Sequence, residues 1–483
     1  MLILWYNSNH NFIDNSMRIG FVFGKGIDGC GVTRGALFFE KWLYDNGHDS
    51  IVFDFINGNR YGRAKDNKFK GQVFEVSASE TDAPSGIIDV ANKCDILICH
   101  SAPIRKHTDY CDRYRRFIEK INDPIIVMHD HGISVNTINS VPQACELFSH
   151  ADVAVLQSED GLSSRAYTEF DEGLKDRIIE NPIWIEPDAY TRFIGSERYK
   201  HFLYIGRMSP LKDPALICRT SKYLPGWDLS LVGCERSISS VAFDDTKELH
   251  RWPGPYIPPF RDFVRIHRFD KDGNIKHNCK LPDEQIKVNA YESYPYEWGM
   301  KTLGRSFASW CGYRLTDERE YGTRMEYTQI ESFLLTLPVL NRQFAENAYS
   351  PEGKKWIDYD CALTGMATEE EQLADELDRL WHDRSEYLER TAACRELIYK
   401  FNDIENLAPK YLDTILKLGK RENKVNAAEA INTFFPNAQE LREKGEVIMT
   451  APGSYLKREK YILVNNKQQK VEDTTSSLES FFA

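Results

Sequence analysis

Three titratable residues follow one another at the end of a predicted strand: His129, Asp130 and His131. The segment 124–130 (PIIVMHD) is apolar enough to form a buried strand, and open α/β sheets bind ligands at the carboxyl ends of their strands. Histidine and aspartate in such a place can move protons or hold sugar hydroxyls. A shared metal ion is the less favoured interpretation, because adjacent residues of a strand point to opposite faces of the sheet.

A glycine-rich segment, residues 25–34 (KGIDGCGVTR), lies between a predicted strand at 17–23 and a predicted helix. Gly29 and Gly31 would let the backbone approach an anion closely, and the start of a helix offers free N–H groups. The spacing matches neither a dinucleotide fingerprint nor a P-loop. A tight strand–helix turn without a ligand is the alternative interpretation.

Two cations and two carboxylates in the second half of the chain could hold a nucleotide diphosphate. Arg207 and Lys212 follow a predicted strand and could bind the phosphates. Glu326 and Glu331 begin a predicted helix that leads into the strand 337–341, and a glutamate there can accept hydrogen bonds from both ribose hydroxyls. Exposed loop cations, and glutamates that complement a helix N-terminus, are the alternatives. All these segments together predict a two-lobed sugar-nucleotide transferase.

The order of these segments resembles the alpha-glucosyltransferases of T-even bacteriophages, which modify 5-hydroxymethylcytosine in phage DNA. The matching stretches run from GIDGCGVTR through HDHGISV and IGR to EYTQIE with LPV, and they cover roughly residues 17–415. GCGVT and HDH are distinctive. IGR and the glutamate helix are shared more widely among glycosyltransferases with two Rossmann-like domains.

The resemblance implies a GT-B fold, an α/β architecture in which two Rossmann-like domains face each other across a cleft, with a helical C-terminal closure. It also implies retaining transfer from a UDP-sugar, with no metal and no other cofactor required. The active-site pair is then His129 and Asp130. The donor-binding residues are then Gly29, Gly31, Arg207, Lys212, Glu326 and Glu331.

Three features depart from the family pattern. Thr336 stands where broader relatives carry glycine before the Pro-Val strand, the insertion at about 237–310 is longer than expected, and the extension at 421–483 has no obvious counterpart. Loops in this region would border the donor pocket. The transferred sugar therefore stays open between glucose, the family default, and a pentose such as arabinose.

A basic loop and a basic helix supply local positive charge in a chain that is acidic overall, with 61 basic against 73 acidic side chains. The residues predicted to contact DNA phosphates are Arg60, Arg63, Lys65, Lys68 and Lys70 in the loop, and Arg113 and Arg116 on or near the helix. A solvated charged face is the alternative. Double-stranded DNA containing 5-hydroxymethylcytosine is the expected partner. Its target base would have to flip out of the duplex to enter a closed cleft.

The end of the chain carries a short apolar motif on a polar tail. Leu478 lies three residues before the pair Phe481 and Phe482, and Thr475 stands where many sliding-clamp peptides have glutamine. This spacing resembles the peptides with which replication proteins dock on sliding clamps. The phage sliding clamp is therefore a second expected partner, and a chance match is the alternative.

Apolar strands that alternate with helices predict parallel sheets covered by helices. The predicted parts are an N-terminal arm (1–16), an acceptor and DNA-side domain (17–185), a UDP-sugar-binding domain (186–400) with the insertion, a helix that packs back (401–420) and the polar extension (421–483).

No stretch approaches the roughly 20 apolar residues of a membrane span. The 11 cysteines form no CxxC pair and are expected to be reduced. The expected location is the cytoplasm of an infected bacterium.

Two other function classes stay open. One is a transferase for a glycan or a small molecule, which would use the same donor site. The other is a catalytically idle DNA-binding or clamp-binding protein on this fold. The basic loop favours DNA over a glycan as acceptor, and the complete set of His–Asp pair, cations and glutamate argues against an idle protein.

Overall fold

The computed structural model describes two α/β units and a small antiparallel sheet. The described residues are 16–24, 31–55, 69–76, 85–100, 108–130, 141–156, 167–168, 170–206, 215–233, 264–269, 274–277, 287–292, 294–310, 327–340, 350, 352–359, 361–363, 370–426, 447–450, 460–464 and 467–471. Within these ranges, no helix is long and apolar enough to cross a membrane.

The N-terminal unit is a seven-stranded parallel sheet in the order β3-β2-β1-β4-β5-β6-β7. Its strands are β1 (Arg18–Phe23), β2 (Asp49–Phe55), β3 (Gln72–Val76), β4 (Ile96–His100), β5 (Ile125–His129), β6 (Val153–Leu156) and β7 (Ile178–Glu180). Its helices are α1 (Gly31–Asp45), α2 (Ser85–Ala91), α3 (Thr108–Glu119) and α4 (Val141–Ser149), with a 3₁₀ turn at Glu172–Arg177. β4 and β6 are buried along their whole length and β5 is buried except at Ile125, as expected for a sheet covered on both faces.

The C-terminal unit is an eight-stranded sheet in the order β11-β10-β12-β9-β8-β13-β14-β15, parallel except for β11. Its strands are β8 (His201–Gly206), β9 (Asp228–Gly233), β10 (Val264–Phe269), β11 (Ile275–His277), β12 (Val288–Glu292), β13 (Ala308–Trp310), β14 (Val339–Leu340) and β15 (Ala362–Leu363). The helices that follow β7 are α5 (Asp188–Thr191), α6 (Ala215–Thr220), α7 (Tyr296–Leu303), α8 (Tyr327–Leu334), α9 (Glu370–His382), α10 (Arg384–Phe401) and α11 (Ile404–Leu418). A 3₁₀ turn lies at Trp356–Tyr359.

Two segments hold more regular structure than the sequence patterns indicate. The stretch 237–310, predicted to be an irregular insertion between sheet elements, contributes β10 and β12. These strands pair with each other, and β12 also pairs with β9, so they extend the sheet. Their sequences, VRIHRF and VNAYE, mix apolar with polar and charged residues, so they lack the apolar run that marks a buried strand. The extension at 421–483 contains an antiparallel sheet of β16 (Val447–Thr450), β17 (Lys460–Val464) and β18 (Lys467–Val471).

The last long helix, α11, returns from the C-terminal unit to the N-terminal one. Asp403 caps its start by accepting a hydrogen bond from the Glu405 N–H, and Gly419, with φ 58°, ends it. Apolar residues recur on one face of the helix and pack with α1 and the N-terminal sheet. The following segment stays on this unit, since the Arg421 guanidinium pairs with buried Asp171 at 2.7 Å. The predicted helical closure at the C-terminus is thus present.

Thr336 adopts a backbone conformation that glycine usually supplies. Its φ is 59°, in the left-handed region, two residues after the end of α8 at Leu334. The Arg198 guanidinium donates hydrogen bonds to the Thr336 hydroxyl and to the Leu335 carbonyl. These bonds offset the strain at a position where a glycine would need no such support.

Candidate active site

The carboxyl ends of β4 and β5 bring two histidines side by side. His100 ends β4 and His129 ends β5, the strand register pairs them, and their ring centroids are 4.7 Å apart. His100 also stacks on Phe23 from the end of β1, at 5.3 Å. No sequence signal beyond its place at a strand end marks His100 as a site residue. The site therefore contains a third buried titratable group, the His100 imidazole, beside the predicted pair His129 and Asp130.

His129 is held by a residue 282 positions further along the chain. Its Nε2 lies 2.6 Å from the hydroxyl oxygen of Tyr411 on α11, and both side chains are buried. Burial raises the pKa of the Tyr411 phenol well above its usual value, so the hydroxyl keeps its proton. Phe39 and Trp184 pack edge-on against the Tyr411 ring. The position of His129 thus depends on α11.

Asp130 has a tyrosine partner of its own on the other side of the sheet. Its backbone N–H donates to the Val155 carbonyl at 2.8 Å, which continues the pairing of β5 with β6. The Tyr167 hydroxyl donates to Asp130 Oδ2, also at 2.8 Å, and the Tyr167 ring stacks on Phe148 at 4.1 Å between centroids. Both Asp130 and Tyr167 are buried.

The partners of the predicted pair lie in two different cores, one on each face of the sheet. Tyr411 belongs to the same core as Val127, whereas Tyr167 belongs to the core that contains Met128. His129 and Asp130 therefore point to opposite faces, as the alternation along a strand requires. No cluster of three or more His, Cys, Asp or Glu residues suited to a metal ion occurs in the part of the chain that the structure describes. His131 lies outside that part.

Glu331 joins the two units. It lies on α8, and its carboxylate forms an ion pair with Arg34 of α1, with a side-chain exposure of only 2% for Glu331. Burial alone would lower the pKa of the Arg34 guanidinium, but Glu331 and neighbouring tyrosines raise it well above its usual value. The hydroxyls of Tyr190 and Tyr296 donate to the same carboxylate at 3.1 and 3.2 Å. The predicted ribose ligand is thus a fixed carboxylate at the interface between the units.

The start of α1 packs directly on the start of α8. A Cβ atom on Gly31 would lie 2.7 Å from Cδ2 of Tyr327, and one on Gly35 would overlap the Tyr327 hydroxyl oxygen. That hydroxyl donates to the Trp184 carbonyl at 3.2 Å, and the Trp184 indole N–H donates to the Gly35 carbonyl at 2.7 Å. Gly31 therefore permits close packing between helices. Its predicted contact with a donor phosphate stays a prediction.

Lys70 and Gly71, at the C-terminal end of the predicted basic loop, are hydrogen-bonded to a buried side chain. Glu40 is fully buried, and its Oε1 accepts hydrogen bonds from the Lys70 and Gly71 N–H groups, both at 2.7 Å, and from the Ser50 hydroxyl at 2.6 Å. Lys70 is exposed. The charged loop thus rejoins the N-terminal unit at a fixed point.

The remaining predicted site residues divide into two groups. Arg116 is half-buried on α3, and Arg113 lies on the same helix, where only its backbone is described. Outside the described residues lie Gly29, Arg60, Arg63, Lys65, Lys68, Arg207, Lys212, Glu326, Leu478, Phe481 and Phe482. In the chain, Arg207 directly follows the last residue of β8, and Glu326 directly precedes α8. Their predicted roles stay predictions.

Comparison with solved structures defines the class of fold. An alpha-glucosyltransferase in complex with UDP and a 13-mer DNA containing a HMU base covers 83% of this chain and 100% of its own, with a TM-score of 0.66 and 18% identity. The Anabaena protein Alr3699/HepE, in complex with UDP and glucose, has a TM-score of 0.54 and 13% identity over 83% of this chain and 100% of its own. The predicted GT-B fold, with two Rossmann-like units, is confirmed.

The sequence comparison covers a smaller part of the chain than the structural comparison, and it finds a similar protein in a bacteriophage. The DNA alpha-glucosyltransferase of Enterobacteria phage T4 is 27% identical over 146 residues, which are 28% of this chain and 36% of that protein. No protein-family model matches the sequence. The resemblance to the T-even phage alpha-glucosyltransferases is thus confirmed, over a segment that spans about a third of the relative.

From the close packing of α1 on α8 we predict how a substitution at Gly35 changes the stability of the protein. Gly35→Ala should destabilise the protein by about 1–3 kcal/mol, because its methyl group would overlap Tyr327, which is tied to Trp184. Gly86→Ala is the matched control, since a Cβ there meets nothing within 4 Å. Thermal unfolding of both variants measures the difference. Equal midpoints for the two variants would contradict the close packing.

Proposed function

We propose that this protein transfers a sugar from a UDP-sugar to the hydroxymethyl group of 5-hydroxymethylcytosine in phage DNA, with retention of configuration. The observation that carries the proposal is the position of two sets of groups. His129 and Asp130 end a strand of one Rossmann-like unit, and Glu331 lies on α8 of the other, against the first unit. The solved structures that share this fold include an alpha-glucosyltransferase with UDP and DNA.

The donor would be held by the C-terminal unit. Glu331 would accept hydrogen bonds from the ribose hydroxyls, with Glu326 beside it, and Gly29 and Gly31 would border the sugar phosphate. Arg207 and Lys212 would offset the negative charge that develops on the diphosphate when UDP leaves. Two side-chain cations can supply this stabilisation without a metal, because their charge and N–H groups are directed at the phosphate oxygens.

The transfer itself would be a front-face substitution. The bond between the anomeric carbon and the UDP oxygen breaks, and the hydroxymethyl oxygen bonds to the same face of that carbon. The hydroxyl proton passes to the departing phosphate oxygen. His129 and Asp130 would orient the sugar and the hydroxymethyl group, each held by the tyrosine hydroxyl that contacts it. Glucose is the first sugar to test, and arabinose is the second.

DNA would bind on the side of the N-terminal unit. The predicted phosphate contacts are Arg60, Arg63, Lys65, Lys68, Lys70, Arg113 and Arg116. The anchor of Lys70 and Gly71 on buried Glu40 supports this arrangement, because it ties the basic loop to the unit that carries the His–Asp pair. A target base that leaves the duplex could then reach that pair. The reaction would take place in the cytoplasm of the infected bacterium.

The proposal is tested by the product. The protein is incubated with hydroxymethylated or unmodified duplex DNA and with UDP-glucose or UDP-arabinose, and the nucleosides are analysed by mass. A hexose or pentose mass added only to hydroxymethylcytosine is expected. Transfer to a glycan or small molecule with none to DNA would favour the second candidate, which the likeness to Alr3699/HepE also allows. No transfer to any acceptor, with DNA binding retained, would leave only a binding role.

Removal of the Asp130 charge should affect turnover and spare donor binding. Asp130→Asn keeps the shape of the side chain and an oxygen that can accept from Tyr167, so we expect turnover to fall by about 100-fold or more while UDP affinity is unchanged. Asp45→Asn, at an exposed site on α1, is the control. Unchanged turnover in Asp130→Asn would remove this carboxylate from the reaction.

Because Tyr411 of α11 holds His129, we predict that a substitution at Tyr411 lowers turnover. Tyr411→Phe removes the hydroxyl at Nε2 and keeps the ring, so turnover should fall about tenfold, since a small displacement of a catalytic group can cost about 100-fold. Tyr387→Phe is the matched control, because it also loses one buried hydroxyl hydrogen bond, to the Phe307 carbonyl. Both should lose about 1 kcal/mol of stability. Equal turnover of the two variants would contradict a role for Tyr411 in the site.

The proposed clamp peptide has its own test. The double substitution of Leu478 and Phe481 by alanine should abolish binding to a purified T-even phage sliding clamp, because the apolar anchors of the peptide are lost. Activity on free hydroxymethylated DNA should be unchanged. Ser477→Ala is the control within the same tail. Clamp binding that survives the double substitution, or no binding by the unaltered chain, would rule out the peptide.

A further inference from the structure

The two oxygens of the Glu331 carboxylate have unequal surroundings. Oε1 accepts hydrogen bonds from the guanidinium of Arg34 and from the hydroxyls of Tyr190 and Tyr296. The Tyr296 hydroxyl also lies 2.8 Å from the Tyr190 hydroxyl oxygen, so its single proton is shared between Tyr190 and the carboxylate. The guanidinium lies over the Tyr296 ring, 4.3 Å from its centroid. The guanidinium and the linked pair of hydroxyls thus fix one oxygen of a single carboxylate.

The second oxygen, Oε2, receives no hydrogen bond from any of the residues that the structure describes. The Glu331 side chain is only 2% exposed, so this oxygen has little contact with solvent. A carboxylate oxygen with spare acceptor capacity can accept a hydrogen bond from a hydroxyl group, and a carboxylate that is already fixed loses little entropy when it does so.

Arg34 supplies the positive charge that pairs with this buried carboxylate. A carboxylate that is 2% exposed is costly to desolvate unless a cation pairs with it. The pKa of Arg34 is raised well above its usual value although burial opposes this, so the guanidinium keeps its charge. Tyr190 and Tyr296 are neutral donors, because burial and Glu331 raise the pKa of both phenols.

We propose that Arg34 is a positioning residue for the nucleotide donor: it fixes Glu331 through Oε1 so that Oε2 faces the ribose hydroxyls. This inference rests on the proposed function. Arg34 lies on α1 of the acceptor-side unit, whereas Glu331 lies on α8 of the donor-side unit. UDP binding therefore needs both units in contact and is not a property of the donor-side unit alone.

The experiment compares UDP affinity, measured by calorimetry on the full chain, across matched variants. Arg34→Gln removes the charge with a similar side-chain shape, and we expect the Kd for UDP to rise at least tenfold. Arg34→Lys should restore part of the affinity, because it keeps the charge but loses the planar fork. Lys41→Gln should bind UDP like the unaltered protein; Lys41 is another α1 cation, paired with exposed Glu186 at 3.0 Å.

The KM for the donor and kcat distinguish a positioning role of Arg34 from a merely structural one. In Arg34→Gln the KM for the donor should rise while kcat at saturating donor changes less than threefold. Where Arg34→Gln fails to fold, Tyr296→Phe, which removes one donor to Oε1, carries the test and should raise the Kd for UDP about threefold or more. An affinity within twofold of the unaltered protein in the folded variants would overturn the inference. No UDP binding by the unaltered protein would overturn the proposed function, and this inference with it.

Discussion

The ion pair between Arg34 and Glu331 is the contact on which the arrangement of the proposed donor site depends. It joins a helix of one Rossmann-like unit to a helix of the other, and its carboxylate is almost fully removed from solvent. A buried charge needs an opposite charge at short range, so the two helices are held in one relative position. The ring of Tyr327 on Gly31 and Gly35 adds a steric contact beside the same pair. Charge and packing therefore act on one interface.

The proposed acceptor side depends on α11 in a comparable way. α11 crosses to the N-terminal sheet and brings the Tyr411 hydroxyl to His129, while Tyr167 reaches Asp130 from the other face. Each predicted catalytic group is thus held by a neutral phenol that donates or accepts one short hydrogen bond. The supporting residues come from regions of the chain far from the strand that carries the pair. A change in the packing of α11 is therefore expected to reach the active site.

The sequence was sufficient for the fold class and for the residues at strand ends. Buried parallel strands are continuous apolar runs, and the polar residues directly after them are easily recognised, as with His129 and Asp130. The partners of these residues could not be predicted, because Arg34 and Glu331 are 297 positions apart and His129 and Tyr411 are 282 apart. Only the three-dimensional packing selects such partners. β10 and β12 were not predicted for another reason: their sequences, VRIHRF and VNAYE, carry polar and charged residues instead of a continuous apolar run.

A crystal structure of the protein with UDP tests the central claim most directly. The account predicts that a ribose hydroxyl lies within hydrogen-bond distance of Glu331 Oε2, while Arg34 stays on Oε1 and the two units keep the contact described above. A complex in which the ribose lies away from Glu331, or in which UDP binds with the Arg34–Glu331 pair broken, would contradict it.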